Sequence, residues 1–417
     1  MSSPASVNAM SPGLVVLLLA MLLGLQPVAT DLYLPALPAM TQGFNAPVSQ
    51  AQYTLSALLL AFGSSQLLWG PLSDRFGRRP ILLLGLSAFV AASVGSTLAG
   101  SMESLIAWRT LQGAAMGAAV MCARAIVRDL YQPVDGARVM SKGLSGLGII
   151  ACASAPLGGL ASDRLGWPAA LMLIAIFGAA TLGMVVWRFE ETLAQRNPQA
   201  LSPSRVLPTW LSIARHPTFL AWALLATASY GGLFTFLAAS SFVFIQVLGL
   251  TKPQYGLAMF SMSLSYIVGT FVCRWLLSRV GVRRTVALAG ALSLIGGTLM
   301  GALALAGVQS LWAILPPFYL FMVAHGVHQP CGQSGAVGPF PQSAGAASAL
   351  SGFIMMVVAF AMGGWLGPAL ARAGDSVLPL TQGIWFWGVA CAAVAWTLVQ
   401  RHGEARPAPQ RLVASGR

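Results

Sequence analysis

The sequence predicts an all-α membrane protein of twelve transmembrane helices, arranged as two six-helix bundles related by a pseudo-two-fold axis. Three observations carry this prediction. The chain is 57% hydrophobic and only 8% charged over 417 residues, with a mean hydropathy of +0.76, whereas a soluble domain has about a quarter of its residues charged. Its apolar residues gather into twelve runs, each roughly 20 residues or longer and so able to cross about 30 Å of hydrocarbon as a helix. A short motif from the first half also recurs, faded, in the second.

Breaks at clusters of charge, Pro and Gly place the runs near 12–39, 50–72, 80–100, 104–127, 139–161, 167–188, 217–245, 254–278, 285–306, 310–331, 344–371 and 378–400. The first lacks a basic n-region and is too long for the core of a secretion signal, so it reads as the first span. Orientation follows from the cations. With both termini cytoplasmic, inner connections carry Arg75, Arg78, Arg79, Arg124, Arg128, Arg138 and Lys142, then Arg188, Arg196, Arg205, Arg215, Arg274, Arg279, Arg283 and Arg284. Outer connections carry Arg164, Lys252 and Arg372.

The most polar connection contains "FEETLAQRNPQALSPSRVLP" and lies midway along the chain, which suits a cytoplasmic linker. The expected organisation is therefore an N-terminal bundle over 1–188, a linker over 189–216, a C-terminal bundle over 217–400 and a cytoplasmic tail over 401–417. "SDRFGRR" at 73–79 recurs as "LSRVGVR" at 277–283, 204 residues on, with Ser278 where the first copy has Asp74.

The net charge of +13 does not point to nucleic acid, because the basic residues sit singly or in small groups between apolar runs. Cys122, Cys152, Cys273, Cys331 and Cys391 all fall in or beside apolar segments with no CxxC pair, and read as small buried hydrophobes. No G-x-x-x-x-G-K-[ST] loop occurs, so direct ATP coupling is not expected; no cofactor is expected either.

Asp31 is the only charged side chain in the first 73 residues. An unpaired carboxylate at membrane depth is costly, so an acid kept there is a functional candidate. Pro27, Pro35 and Pro38 interrupt the helix around it, and Pro35 cannot donate to the Asp31 carbonyl. In the fourth run, "WRTLQGAAMGAA" spaces Arg109, Gln112, Gly113, Met116 and Gly117 along one helical face. That face is expected to line a central cavity, with Arg109 at a depth where it can pair with Asp31. An intramembrane aspartyl protease would need two converging carboxylates, and Asp31 stands alone.

"GPLSDRFGRRP", between the second and third runs, resembles the major facilitator signature G-x-x-x-D-R-x-G-R-R. All six fixed positions match, at Gly70, Asp74, Arg75, Gly77, Arg78 and Arg79. The resemblance implies a transporter gate on the cytoplasmic side, with "RAIVRDLY" at 124–131 supplying Asp129 as the partner of Arg78. In the fifth run "SAPLGG" resembles the antiporter motif G-P-x-x-G-G, with Ala155 for the first Gly and one residue fewer before Gly158. The kink at Pro156 and close packing at Gly158 and Gly159 survive these departures.

"TDLYLPALP", "RAIVRDLY", "ETL" after the sixth run and "GAASALSG" at 345–352 are together similar to drug/proton antiporters of the bicyclomycin and chloramphenicol resistance (Bcr/CflA) branch. This resemblance implies a monomeric multidrug exporter of the bacterial inner membrane, trading protons for small lipophilic or cationic drugs, with Asp31 and Arg109 coupling the two. A metabolite exporter for an amino acid or sugar, and proton-linked uptake, are the rival readings. Tyr33, Gln112, Met116, Tyr230, Phe234 and Met262 are the expected cavity residues. His325 and His328 join them as polar lining, with Cys331 on the same face; a proton relay or a soft-metal site are the other readings of that trio.

Overall fold

The computed structural model describes residues 10–198, 200 and 203–403, so nearly all of the expected tail lies outside the described residues. Eleven described helices are long and apolar enough to cross a membrane. One of them, Lys252–Leu305, is two spans meeting at Gly281, whose φ of 76° interrupts the helical backbone. Twelve spans result among the described residues. They are α1 (Pro12–Asp31), α2 (Val48–Phe76), α3 (Arg78–Thr97), α4 (Met102–Leu130), α5 (Pro133–Leu165) and α6 (Trp167–Arg188). After the linker come α7 (Pro217–Ser241), α8 (252–280), α9 (282–305), α10 (Leu311–Val337), α11 (Ala344–Ala373) and α12 (Leu378–Trp396).

Local chemistry explains the ends. Ser11, Ser101 and Thr251 cap α1, α4 and α8 by accepting from backbone N–H groups of the first turn. Single glycines join α2 to α3, α5 to α6 and α8 to α9, at φ of 107°, 85° and 76° for Gly77, Gly166 and Gly281. Only glycine takes these angles without strain, and one residue is then enough to reverse the chain.

The repeat seen in the sequence has a counterpart in three dimensions. Gly77 and Gly281, 204 residues apart in the chain, occupy equivalent hinges. Arg79 donates to the carbonyls of Val186 and Phe189 at the end of α6, and Arg283 donates to the Gln400 carbonyl just beyond α12. Each arginine ties a hinge to the last helix of its own bundle.

Between the bundles the contacts are backbone-close. A Cβ on Gly367 would lie 2.7 Å from Ser49 Cα, one on Gly363 2.7 Å from Ser56, and one on Gly63 2.6 Å from Met356, so α11 lies against α2 along small residues. At the end remote from the linker, Gln52 donates to the Ala238 carbonyl at 2.7 Å and Lys252 to the Ser162 carbonyl at 3.0 Å. At the linker end Arg124 donates to Ser348 Oγ at 2.7 Å.

The first run differs from expectation in how it breaks. Pro27 is carried inside α1, and the helix ends only at Asp31, followed by a bend, a 3-10 turn over Leu34–Ala36 and a short helix Leu37–Gly43. Pro35 rather than Pro27 decides this, since it withholds the N–H that the Asp31 carbonyl would need. Gly158 of α5 fits against the break so tightly that a Cβ would sit 1.7 Å from the Leu32 carbonyl oxygen. Gly159 and Gly256 pack the same stretch of α5 onto the start of α8.

Gly158→Ala is therefore expected to lower the melting temperature of the detergent-solubilised protein, by the roughly 1–3 kcal/mol typical of overpacking. Gly364→Ala, where nothing lies within 4 Å of the added carbon, is the matched control and should leave the melt unchanged or raise it.

Candidate functional site

The break in α1 sets the geometry of the first site. Arg109 is fully buried on α4, with 0% exposure. Its Nη2 donates to the Ala29 carbonyl at 2.6 Å, its Nη1 to Gln112 Oε1 at 2.6 Å, and its guanidinium lies 4.0 Å above the centre of the Tyr33 ring. Gln112 in turn donates to Ser93 Oγ at 2.6 Å, and Ser93 to the Phe89 carbonyl at 2.7 Å. One cation thus links α1, α4 and α3. Tyr33 finishes the arrangement by sharing a hydrogen bond with Thr54 of α2 at 3.1 Å.

The expected Asp31–Arg109 ion pair is not formed. Asp31 is half-buried and accepts from the Thr30 hydroxyl at 2.7 Å. Helix geometry is the reason: Ala29 and Asp31 are two residues apart, hence on different faces of α1. The Ala29 side meets Arg109. The 3-10 turn Leu34–Ala36 just beyond Asp31 packs against α5, α7 and the α8–α9 pair, so the break that carries the acid lies at the junction of the bundles.

A second correction concerns the face of α4. Cβ atoms on Gly113 and Gly117 would meet the Leu58 carbonyl at 2.0 Å and Ser65 Oγ at 2.2 Å, so this face backs onto α2 and does not line a cavity. Gln112 and Met116 are buried with it. The remaining expected cavity residues are buried too. Tyr33 lies beneath Arg109, while Tyr230, Phe234 and Met262 retain at most 8% exposure. His325 meets Ser229 Oγ at 2.8 Å between α10 and α7, and His328 is fully enclosed. A cavity of about 360 Å³ lies elsewhere, between the Gly43–Pro47 connection and the start of α4.

The second site is a charge cluster at the linker end. Arg78, 1% exposed, donates from Nη1 to Asp74 Oδ1 at 2.6 Å and to Ser73 Oγ at 2.8 Å. From Nε and Nη2 it makes a forked contact with both oxygens of Asp129, at 2.9 and 3.4 Å. Such bidentate pairing exploits the planar guanidinium. Arg128 approaches Asp74 at 3.6 Å, and Arg75 lies over the Phe76 ring at 5.4 Å. Gly70 faces Met121 of α4 across a gap that a Cβ would narrow to 3.3 Å.

Asp74 itself does not cap a helix. That task falls to Glu191, whose Oε1 accepts from the N–H of Arg78 at 2.9 Å and whose Oε2 accepts from that of Arg79 at 3.1 Å. A carboxylate at the start of α3 offsets both orphan donors and the helix dipole. Glu191 also accepts from the N–H groups of Thr192 and Leu193, each at 3.0 Å, and Thr192 donates to Asp129 at 3.3 Å. A Cβ on Gly77 would sit 2.3 Å from Glu191 Oε2.

Sequence reasoning missed Glu191, Thr192, Ser73 and Ser93 as members of these networks. "ETL" directly after the sixth run was the one visible signal for Glu191 and Thr192. Nothing local marks Ser93, which matters only because α3 brings it to Gln112.

The chain and its architecture have relatives among known proteins. The family described as Major Facilitator Superfamily matches residues 19–364. The chain is 30% identical over 341 residues to the multidrug resistance protein D of Escherichia coli strain K12, covering 81% of this chain and 84% of that one. It is 27% identical over 349 residues to the bicyclomycin resistance protein homolog of Haemophilus influenzae, covering 84% and 87%. With the chloramphenicol resistance protein of Pseudomonas aeruginosa it shares 29% over 375 residues, covering 85% and 82%. Among solved structures, an inward-facing, occupied bacterial homolog of the human lysosomal transporter Spinster superposes with a TM-score of 0.73 at 16% identity, covering 98% of this chain and all of that one. A D-xylose-proton symporter gives 0.72 at 16%, covering 94% and 98%. These two likenesses speak to the fold alone.

Glu191→Gln, which removes the negative charge from two backbone donors at the start of α3, is expected to destabilise the solubilised protein by about 1 kcal/mol. The neighbouring exposed Glu190→Gln should have no effect in the same thermal melt.

Proposed function

Because the chain belongs to the major facilitator superfamily, we propose that it exports drug-like molecules across the bacterial inner membrane in exchange for protons, its two bundles giving alternating access to the two sides. Both termini face the cytoplasm in this reading, which sets the Arg78 cluster inside and the break in α1 toward the outer half of the membrane. The resistance proteins that align over most of this chain support drugs as the cargo. Small lipophilic or cationic compounds are the substrate class.

The single observation that carries the coupling scheme is Asp31, a half-buried acid at a helix break that lies at the junction of the bundles. Its neighbour makes the proton easy to accommodate. Thr30 Oγ1 lies 2.7 Å from Asp31 Oδ1 and 3.0 Å from the Gln26 carbonyl, yet has one hydrogen to share between them. With Asp31 ionised, that hydrogen points to the carboxylate. With Asp31 protonated, the carboxyl donates to the Thr30 oxygen, whose own hydrogen turns to Gln26, so both states are satisfied in place.

Arg109 acts here as a positioning residue. It holds the Ala29 carbonyl and the Tyr33 ring on either side of Asp31, so that charge on the acid is felt at a fixed point of the break. Loading a proton from outside and losing it to the cytoplasm, as substrate takes its place, would draw roughly 2.3 kcal/mol per 100 mV for each net charge moved. At the cytoplasmic face, parting of Arg78 from Asp129 would accompany opening, and Val282 and Ser278, which stand where the first copy has Arg78 and Asp74, leave the second hinge free of this restraint.

Asp31→Asn is expected to abolish export driven by an imposed pH gradient in proteoliposomes while leaving the protein inserted. Full drug resistance in cells carrying that variant would rule out the coupling role. Arg109→Lys, which supplies one ammonium for two directed hydrogen bonds and a stacked plane, should cut export at least about tenfold, equal to roughly 1.4 kcal/mol. Outward flux of ethidium or chloramphenicol against a proton influx separates export from uptake.

A further inference from the structure

The C-terminal bundle holds a feature that proton-coupled export does not use. Cys273 on α8 and Cys331 on α10 face each other with their sulfurs 3.8 Å apart, at 3% and 6% exposure. Their meeting is built into the helix crossing. A Cβ on Gly269 would lie 2.4 Å from the Val323 carbonyl oxygen, and one on Gly326 2.7 Å from that of Tyr266, so the two backbones touch there. Toward the linker end, Cys273 follows Gly269 by four residues, on the same face of α8, and Cys331 follows Gly326 by five, and there the two sulfurs meet. Cys122, Cys152 and Cys391 lie on other spans, and all five cysteines are free thiols.

We propose that Cys273 and Cys331 form a dithiol site for a soft, lipophilic electrophile that makes two bonds to sulfur, a trivalent organoarsenical being the simplest. Thiols suit a soft centre, and the surroundings favour a lipophilic carrier for it. Among the described residues no group of three His, Cys or carboxylate side chains is placed to hold a metal ion, so two bonds are what the site offers. A disulfide would need the sulfurs to close from 3.8 Å to about 2.05 Å and an oxidant to take up two electrons, whereas one arsenic atom bridges two sulfurs that stay nearer their present spacing. The step needs no oxidant: R–As=O and two thiols give R–As(S–Cys)₂ and one water, arsenic remaining trivalent while the two S–H protons leave on its oxygen. Once one sulfur has bonded, the second attacks intramolecularly, which makes the adduct far harder to reverse than one on a single thiol.

Phenylarsine oxide added to the solubilised full-length protein tests this by intact mass. One adduct per chain is expected, retained in excess β-mercaptoethanol, removed by 2,3-dimercaptopropanol, and protecting Cys273 and Cys331 from a maleimide. Cys273→Ala and Cys331→Ala should each lose the monothiol-resistant adduct, and a variant carrying Cys122→Ala, Cys152→Ala and Cys391→Ala should keep it. That last variant leaves the pair untouched, so the test stands even if a pair variant folds badly. Loss of the resistant adduct from it, its absence from the wild type, or its persistence in a pair variant would overturn the assignment.

Discussion

A guanidinium sealed inside the membrane governs how the first bundle is built. Hydrocarbon offers no partner for a buried polar group, so each must be satisfied within the protein. Arg109 answers that demand through its two terminal nitrogens, which donate to the Ala29 carbonyl and the Gln112 side chain, and through the Tyr33 ring beneath it, while its Nε has no hydrogen-bond partner. Its reach therefore dictates where α1 passes, and Gln112 carries the constraint on to Ser93 of α3. The break at Asp31 stays in place because Arg109 holds one side of it and Gly158 presses on the other. A break in the helix beside a titratable acid is thereby kept in one geometry.

The linker-end cluster is the same physics applied near water. Arg78 is almost wholly enclosed, and three acids surround its guanidinium and its backbone. Removing one partner would strand a buried charge, which costs far more than an exposed pair contributes. The two halves of the protein differ most at this point. Both hinges turn on a positive-φ glycine and both anchor an arginine on a final helix, but only the first carries the carboxylates. The first bundle thus has an ionic lock at its hinge, whereas the second is tied by neutral acceptors, Arg283 donating to the Gln400 carbonyl and Gln400 to the Arg283 carbonyl.

Much of this was legible in the chain alone. Runs of twenty apolar residues, alternating positive charge and the repeat of "SDRFGRR" are one-dimensional signals of helices that must each satisfy a bilayer on their own. Gly77 and Arg78 were readable because the motif keeps them at fixed spacing, and Asp129 as the partner that the family resemblance implies. The errors share a cause. Arg109 and Asp31 have compatible depths, and depth is all that a span boundary reveals; rotation about each helix axis decides whether side chains meet. The same holds for the amphipathic face of α4, since small residues at helical spacing fit a cavity wall and a tight helix contact equally well.

The sequence by itself therefore determined that the chain is a twelve-span membrane protein in two halves, where its hinges fall, and which acid is out of place in the lipid. Those properties follow from composition and from spacing along a single helix. Only the tertiary structure decided that Asp31 pairs with Thr30, that Arg109 is held by a carbonyl and a ring, that Glu191 caps a helix more than a hundred residues away and that two cysteines meet across α8 and α10. Each of these depends on the rotation and crossing of separate helices. Those are set by close contacts at glycines such as Gly113, Gly158 and Gly269, whose partners lie far off in the chain.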